Sequence, residues 1–157
     1  MAAADTTRRR PVAVEYSDWY GRRATIHRLA SWATLPLFAA EWFTGNELFD
    51  NGADAADWAK SSHGVVAGSL GALFALNSVT GVWNLWDARH DPAGRRWRTA
   101  HAVLMLVADA GFAYTGSLAD GAENSAATRS RHRSAALTSS GVALASYLMM
   151  LPPLRRD

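Results

Sequence analysis

Four of the five histidines stand at the head of a stretch that is poor in charge. The stretches open "TIHRLASW", "SSHGVVAG", "RTAHAVLM" and "RHRSAALT", placing His27, His63, His101 and His132 within a turn or so of each start. The fifth, His90, falls in a loop sequence. Neutral imidazole is the commonest metal ligand among side chains and binds through one ring nitrogen. One histidine at one helix start says little. Recurrence at four separate starts, when only 5 of 157 residues are histidine, says more.

The elements that position these rings follow from how charge is distributed. A length of 157 residues allows one domain. The mean hydropathy of -0.10 conceals segregation. No Asp, Glu, Lys or Arg lies between Gly64 and Trp86, or between Ser134 and Leu154. Each gap exceeds the roughly 18 apolar residues of a membrane span. Two weaker spans join them: Thr25 to Phe43, charged only at Arg28 and Glu41, and Ala100 to Leu118, charged inside only at Asp109. The expected fold is all-α, an integral membrane up-down four-helix bundle over residues 25–154. Its spans run about 25–43, 63–86, 99–118 and 132–152, behind a polar cytoplasmic tail at 1–24. Helices of about 20 residues reach about 30 Å, the thickness of the hydrocarbon layer. A soluble bundle would need a polar face on every helix, and residues 64–86 offer none. The polar start, with "TTRRRP", is no cleavable signal peptide, so the first span is expected to direct insertion. No sequence repeat stands out, only a structural one.

Four spans return both ends of the chain to one side. Twelve of the sixteen Lys and Arg residues fall on that side; only Lys60, Arg129, Arg131 and Arg133 fall on the other. The positive-inside bias makes the first side cytoplasmic. The expected location is a bacterial-type inner membrane, multi-pass, with both termini in the cytoplasm. The charge of +2 then reflects topology, and no nucleic-acid partner is implied. The connections agree: residues 46–62 are acidic and partly helical in character, 87–99 carry the turn residues Asp91-Pro92 and Gly94, and 118–131 are small and polar. Trp83, Trp86 and Trp97 sit where interfacial rings are favoured.

Consecutive helices run in opposite directions, so histidines at their starts alternate between membrane faces. His27 and His101 meet on the cytoplasmic side, His63 and His132 on the other. Two imidazoles, one above and one below an iron, are the protein ligands of a b haem, which needs no covalent attachment. The absence of cysteine accords with this, since it removes disulfides, thioether-linked haem and iron–sulfur ligation. The expected cofactors are two b haems, with the four histidines as iron ligands. A flat macrocycle needs small neighbours, and the second span supplies Gly64, Ala67, Gly68, Gly71, Ala75 and Ser78, with Gly68 and Gly71 as expected contacts. The same pattern also serves ordinary helix packing in membranes. Arg131 and Arg133 flank His132, Arg98 precedes His101 and Arg28 follows His27. Their guanidinium groups suit haem propionates or an anionic reductant. Asp109 lies about 12 Å deeper than His101. It is open to a protonated state, a bond to Asn77, a proton path, or a purely structural role. Met149 and Met150 read as packing residues rather than ligands. No nucleophile–base pair is set up, and "GSLGALF" lacks the strand and the Lys-Ser/Thr ending of a phosphate loop.

With His27 paired to His101, His63 to His132, and a third span opening "HAVLM", residues 25–154 resemble the cytochrome b561-like di-haem membrane cytochromes. The resemblance implies a four-helix core with one histidine per helix, a haem near each face, and transmembrane electron transfer. Two features depart from it: eukaryotic members have six helices, and their ascorbate-contacting motifs have no clear equivalent here. The expected role is a relay of electrons between a quinol or soluble reductant and a partner oxidoreductase, as an electron-transfer protein or a cytochrome subunit. Its partners would be membrane lipid and a redox protein or quinone, with a homodimer or a larger complex both open. The alternatives are a haem-free scaffold subunit of a membrane complex and, less favoured, a small proton-coupled transporter centred on Asp109.

Overall fold

The structure, a computed structural model, describes residues 14–151. It is all-helical among those residues: α1 Tyr20–Asn51, α2 Asp57–Asp87, α3 Arg95–Ser117, the short α4 Ala119–Asn124, and α5 Ala126–Leu148. The Pro152-Pro153 stop and the basic tail at 1–13 lie outside the described residues.

The long helices overrun the expected spans. Charge marks where a helix could leave an apolar layer; it does not stop the helix. α1 continues through "TGNELFDN" until Gly52 takes φ +54 and a short 3-10 turn, Gly52–Asp54, follows. The turn is held by Glu47, whose carboxylate accepts from the Ala56 N–H at 3.0 Å. α2 then starts at Asp57, whose negative charge suits a helix N-terminus. Ser125 starts α5, its hydroxyl accepting from the Thr128 N–H at 3.3 Å. The histidines consequently stand six or seven residues inside their helices rather than in the first turn. Between α2 and α3 the chain turns through Ala88–His90 and Gly94, the latter at φ +62. A strap from the preceding segment closes over this turn: the Tyr16 hydroxyl donates to Asp91, the Ser17 hydroxyl to Asp87 at 2.6 Å, and Arg23 pairs with Asp87.

α1 packs mainly on α2 and α3 mainly on α5, giving two hairpins that meet along α2 and α3 and, more sparsely, along α1 and α5. The apolar centre is compact. Leu70, Phe74, Ala108 and Ala143 are buried, with Phe38 and Phe112 against them. The remaining buried side chains are small or polar: Ala30, Ala55, Ala59, Ala88, Thr34, Thr44, Asn77, Thr80, Thr115, Ser139 and Ser146. The large apolar side chains face out, among them Trp32, Phe43, Val79 and Val107 at 56, 66, 63 and 55% exposure. By length and composition α2 with its following turn is the one described helix apolar enough to cross a membrane. α1, α3 and α5 are long enough, at 32, 23 and 23 residues, but their serine, threonine, histidine and charged residues lower their hydropathy.

Candidate functional site

The four histidines form two couples on diagonal helices. His27 of α1 stands 6.1 Å from His101 of α3, ring centre to ring centre, and His63 of α2 stands 6.2 Å from His132 of α5. The interplanar angles of 81° and 61° exclude stacking. No hydrogen bond joins the two rings of either couple among the described residues.

Every ring is anchored through Nδ1. His27 Nδ1 lies 3.1 Å from the Asn77 carbonyl and 3.1 Å from the Thr80 hydroxyl. His101 Nδ1 lies 3.0 Å from the Ser146 carbonyl and 2.8 Å from its hydroxyl. His132 Nδ1 lies 2.9 Å from the Thr115 carbonyl. A carbonyl can only accept, so each of these Nδ1 atoms carries the proton and a neutral ring keeps its lone pair on Nε2. His63 Nδ1 faces Glu41 Oε1 at 3.1 Å and the Thr44 hydroxyl at 3.2 Å. That hydroxyl donates to the Glu41 carbonyl, so it too accepts from the ring. None of the four Nε2 atoms has a hydrogen-bond partner among the described residues. An imidazole fixed at one nitrogen with the other left bare is the usual arrangement of a metal ligand.

The anchors follow a rule that the sequence reading missed. Each hairpin exchanges partners: His27 of α1 bonds Thr80 of α2, and His63 of α2 bonds Thr44 of α1. His101 of α3 bonds Ser146 of α5, and His132 of α5 bonds Thr115 of α3. Along each helix the anchor follows its own histidine by seventeen residues in α1 and α2 and by fourteen in α3 and α5. Those separations correspond to about 21–25 Å of helix, which sets the distance between the couples along the bundle. Glycine follows three of the anchors, at Gly45, Gly81 and Gly116. Two of these leave room for a ring: a Cβ on Gly81 would come 3.1 Å from His27 Cε1, and one on Gly45 would come 3.6 Å from His63 Cε1. A phenylalanine follows each of the first three histidines by eleven residues. Phe38, Phe74 and Phe112 meet between the couples with ring centres 4.7–6.0 Å apart. The shared spacing is a weak internal repeat, and only the register of the hairpins gives it meaning.

The couples fit a bis-imidazole iron. A metal–imidazole bond of about 2.0–2.1 Å, with ring nitrogens about 1.1 Å from the ring centre as C–N bonds of about 1.33 Å dictate, sets the centres about 6.3 Å apart. Beside His27 and His101 lies a cavity of ≈ 210 Å³ lined by Gly81, Ser78, Arg98 and Met150 among others. Among the described residues no three His, Cys, Asp or Glu side chains gather to hold a metal.

The remaining expected contacts divide. Arg98 lines that cavity; its guanidinium bonds the Ala88 and Asp91 carbonyls at 3.2 and 2.8 Å and pairs with Asp91 at 3.6 Å, while its Nε is buried without a partner. Arg133 reaches Asn46 at 3.1 Å and covers the Phe49 ring. Arg131 is exposed beside a shallow groove shared with Tyr114, Ser134 and Thr138, and Arg28 is exposed on α1. Gly68 and Gly71 are exposed, and a Cβ on either would meet nothing within 4 Å, so they pack on no other helix. Ser78, seven residues beyond Gly71, donates its hydroxyl to Asp109 of α3. Asp109 is thus held by Ser78 rather than Asn77, and its Oδ1 is buried without a partner.

No family model matches the chain, and no curated protein or solved structure is detectably similar to it.

Proposed function

We propose that the chain is a b-type di-haem membrane cytochrome of four spans, similar in plan to the cytochrome b561-like proteins, that carries electrons between a donor and an acceptor on opposite membrane faces. The observation that supports it most is the geometry of the couples: two pairs of rings about 6 Å apart, all fixed at Nδ1 and all bare at Nε2. His27 with His101 would hold one haem and His63 with His132 the other. Iron bound by two imidazoles has no open position and supplies one-electron exchange rather than dioxygen chemistry.

The rest of the work belongs to the chain. Asn77, Thr80, Thr115 and Ser146 fix the tautomer and orientation of their rings, as do Glu41 and Thr44 for His63. The Phe38, Phe74 and Phe112 cluster fills the bundle between the sites and keeps water out of the interval. Arg98 and Arg133 bring positive charge to the two ends, where propionates would lie. The membrane reading is supported by a surface opposite to that of a soluble bundle: threonine and serine inside, tryptophan, valine and leucine outside. Only 22% of the most apolar window of α2 is buried, whereas the core helix of a soluble protein would be mostly covered.

The test is a reduced-minus-oxidised spectrum of the detergent-purified protein with haemochrome quantification. Two b haems per chain are expected, falling to one in His63→Ala with the protein still in the membrane. A colourless wild-type protein overturns the proposal and favours the haem-free scaffold.

A further inference from the structure

The two couples are alike in spacing and unlike in what holds them. Around His27, His101 and His132 every Nδ1 partner is a neutral carbonyl or hydroxyl. His63 alone meets a carboxylate, Glu41 Oε1 at 3.1 Å. Glu41 and Thr44 stand three residues apart on α1 and therefore share a face, so both reach the same ring nitrogen. The second carboxylate oxygen of Glu41 is buried without a partner, and no arginine or lysine pairs with it among the described residues.

On the reading of the couples as haem sites, we infer that Glu41 is a positioning residue that makes the iron held by His63 and His132 the harder of the two to reduce. The Nδ1 hydrogen bond goes to the Thr44 hydroxyl, and the Glu41 carboxylate 3.1 Å from the same nitrogen sets negative charge against the ring and raises its basicity as a ligand. A more basic ligand favours the ferric over the ferrous ion, because the ferric ion carries the larger charge. The arginines do not cancel this difference. Arg98 lines the cavity of the first site, and Arg133 beside His132 is turned towards Asn46 and Phe49. Glu41 acts by direct contact with a ligand, and among the described residues no carboxylate takes that place at the first site. The two sites are thereby ordered, with the electron-rich end at His27 and His101.

Spectroelectrochemical titration of the purified full chain tests this. Wild type is expected to show two one-electron waves. Glu41→Gln, which keeps size and an acceptor oxygen but removes the charge, is expected to raise the lower wave by a tenfold change in the reduction equilibrium or more, 59 mV for one electron, and to leave the upper wave in place. Glu41→Asp is expected to restore much of the separation. Assignment needs no Glu41 variant: the wave missing from His63→Ala is expected to be the lower, and the wave missing from His27→Ala the upper. The opposite assignment, or an unmoved lower wave in Glu41→Gln with both haems bound, overturns the inference and leaves the haem reading standing. Absence of haem from the wild type overturns the haem reading itself.

Discussion

Each imidazole is aimed by a residue near the far end of the neighbouring helix, so removing that residue leaves the ligand present but free to turn. Ser146 is the clearest case, being fully buried with its hydroxyl 2.8 Å from His101 Nδ1 and 3.1 Å from the His101 carbonyl. Ser146→Ala and Thr80→Val are each expected to weaken haem binding about 10-fold, the low end of the range for outer-shell partners, because a main-chain carbonyl still accepts at both positions. Haem titration into the apoprotein measures it, and an unchanged affinity in both variants would remove the anchoring role. The histidines were legible in the sequence because the residue is scarce and its placement at four helix starts has few other causes. Their anchors were not. Threonine and serine bond their own helix backbone routinely, as Thr80 does to Leu76 and Thr115 does to Gly111. Only the exchange within each hairpin separates an anchor from a bystander. Glu41 read as a charge near a span end, and its meeting with His63 depends on how far α1 continues.

The hairpins bring these residues together, and two close approaches decide whether they do so. A Cβ on Gly111 of α3 would overlap the Ser139 hydroxyl of α5, so the two helices approach closely there. Gly111→Val is expected to push α3 from α5 and destabilise the fold by about 1–3 kcal/mol, as overpacking usually does. Thermal loss of the Soret band would report it. Gly81→Leu on the first hairpin is expected to displace His27 and remove one haem of two. The strap over the α2–α3 turn offers a pH test away from the spans. The Tyr16 hydroxyl bond, then the Ala93 N–H and the Arg98 charge, hold the Asp91 carboxyl below its ordinary 3.8, and the same bond raises the Tyr16 phenol above 10.0. A lowered carboxyl stabilises above its unfolded value and loses that contribution as pH falls through its folded one. The raised phenol stabilises below 10.0 and loses its part on the alkaline side. Protease protection of the segment before α1 is therefore expected at neutral pH, to fade below 3.8, and to be weak at every pH in Asp91→Asn. Helix identity was legible from charge gaps alone, but helix ends were not, because polar flanks such as "TGNELFDN" of α1 and "DWAKSS" of α2 carry the helix past the point where charge begins.

At the scale of the molecule, the pairing of alternate helices was legible because parity dictates it: odd and even helices start at opposite ends of an up-down bundle. Whether the bundle sits in lipid is decided by what its surface must face, and α3 is the helix on which the question is sharpest. Its composition does not mark it as a span, since Asp109 and the "RRWR" start lower its hydropathy. Val107 lies near the middle of α3, is 55% exposed, and so adds little to the packing inside the bundle. In water, an arginine at such a position changes stability by about 0.5 kcal/mol at most. In hydrocarbon, an arginine at the centre of a helix costs about 2.5–3.5 kcal/mol on insertion scales. Val107→Arg is therefore expected to lower the membrane-integrated yield severely, and Leu76→Arg at the middle of α2 is expected to do the same. Carbonate extraction and detergent-purified yield measure both. The two helices separate the outcomes: loss with Leu76→Arg but normal yield with Val107→Arg would mean that α3 does not meet lipid, and the bundle would then need a partner helix over that face. Loss with both requires lipid on both hairpins, which is the condition that sets the two histidine couples near opposite faces of one membrane.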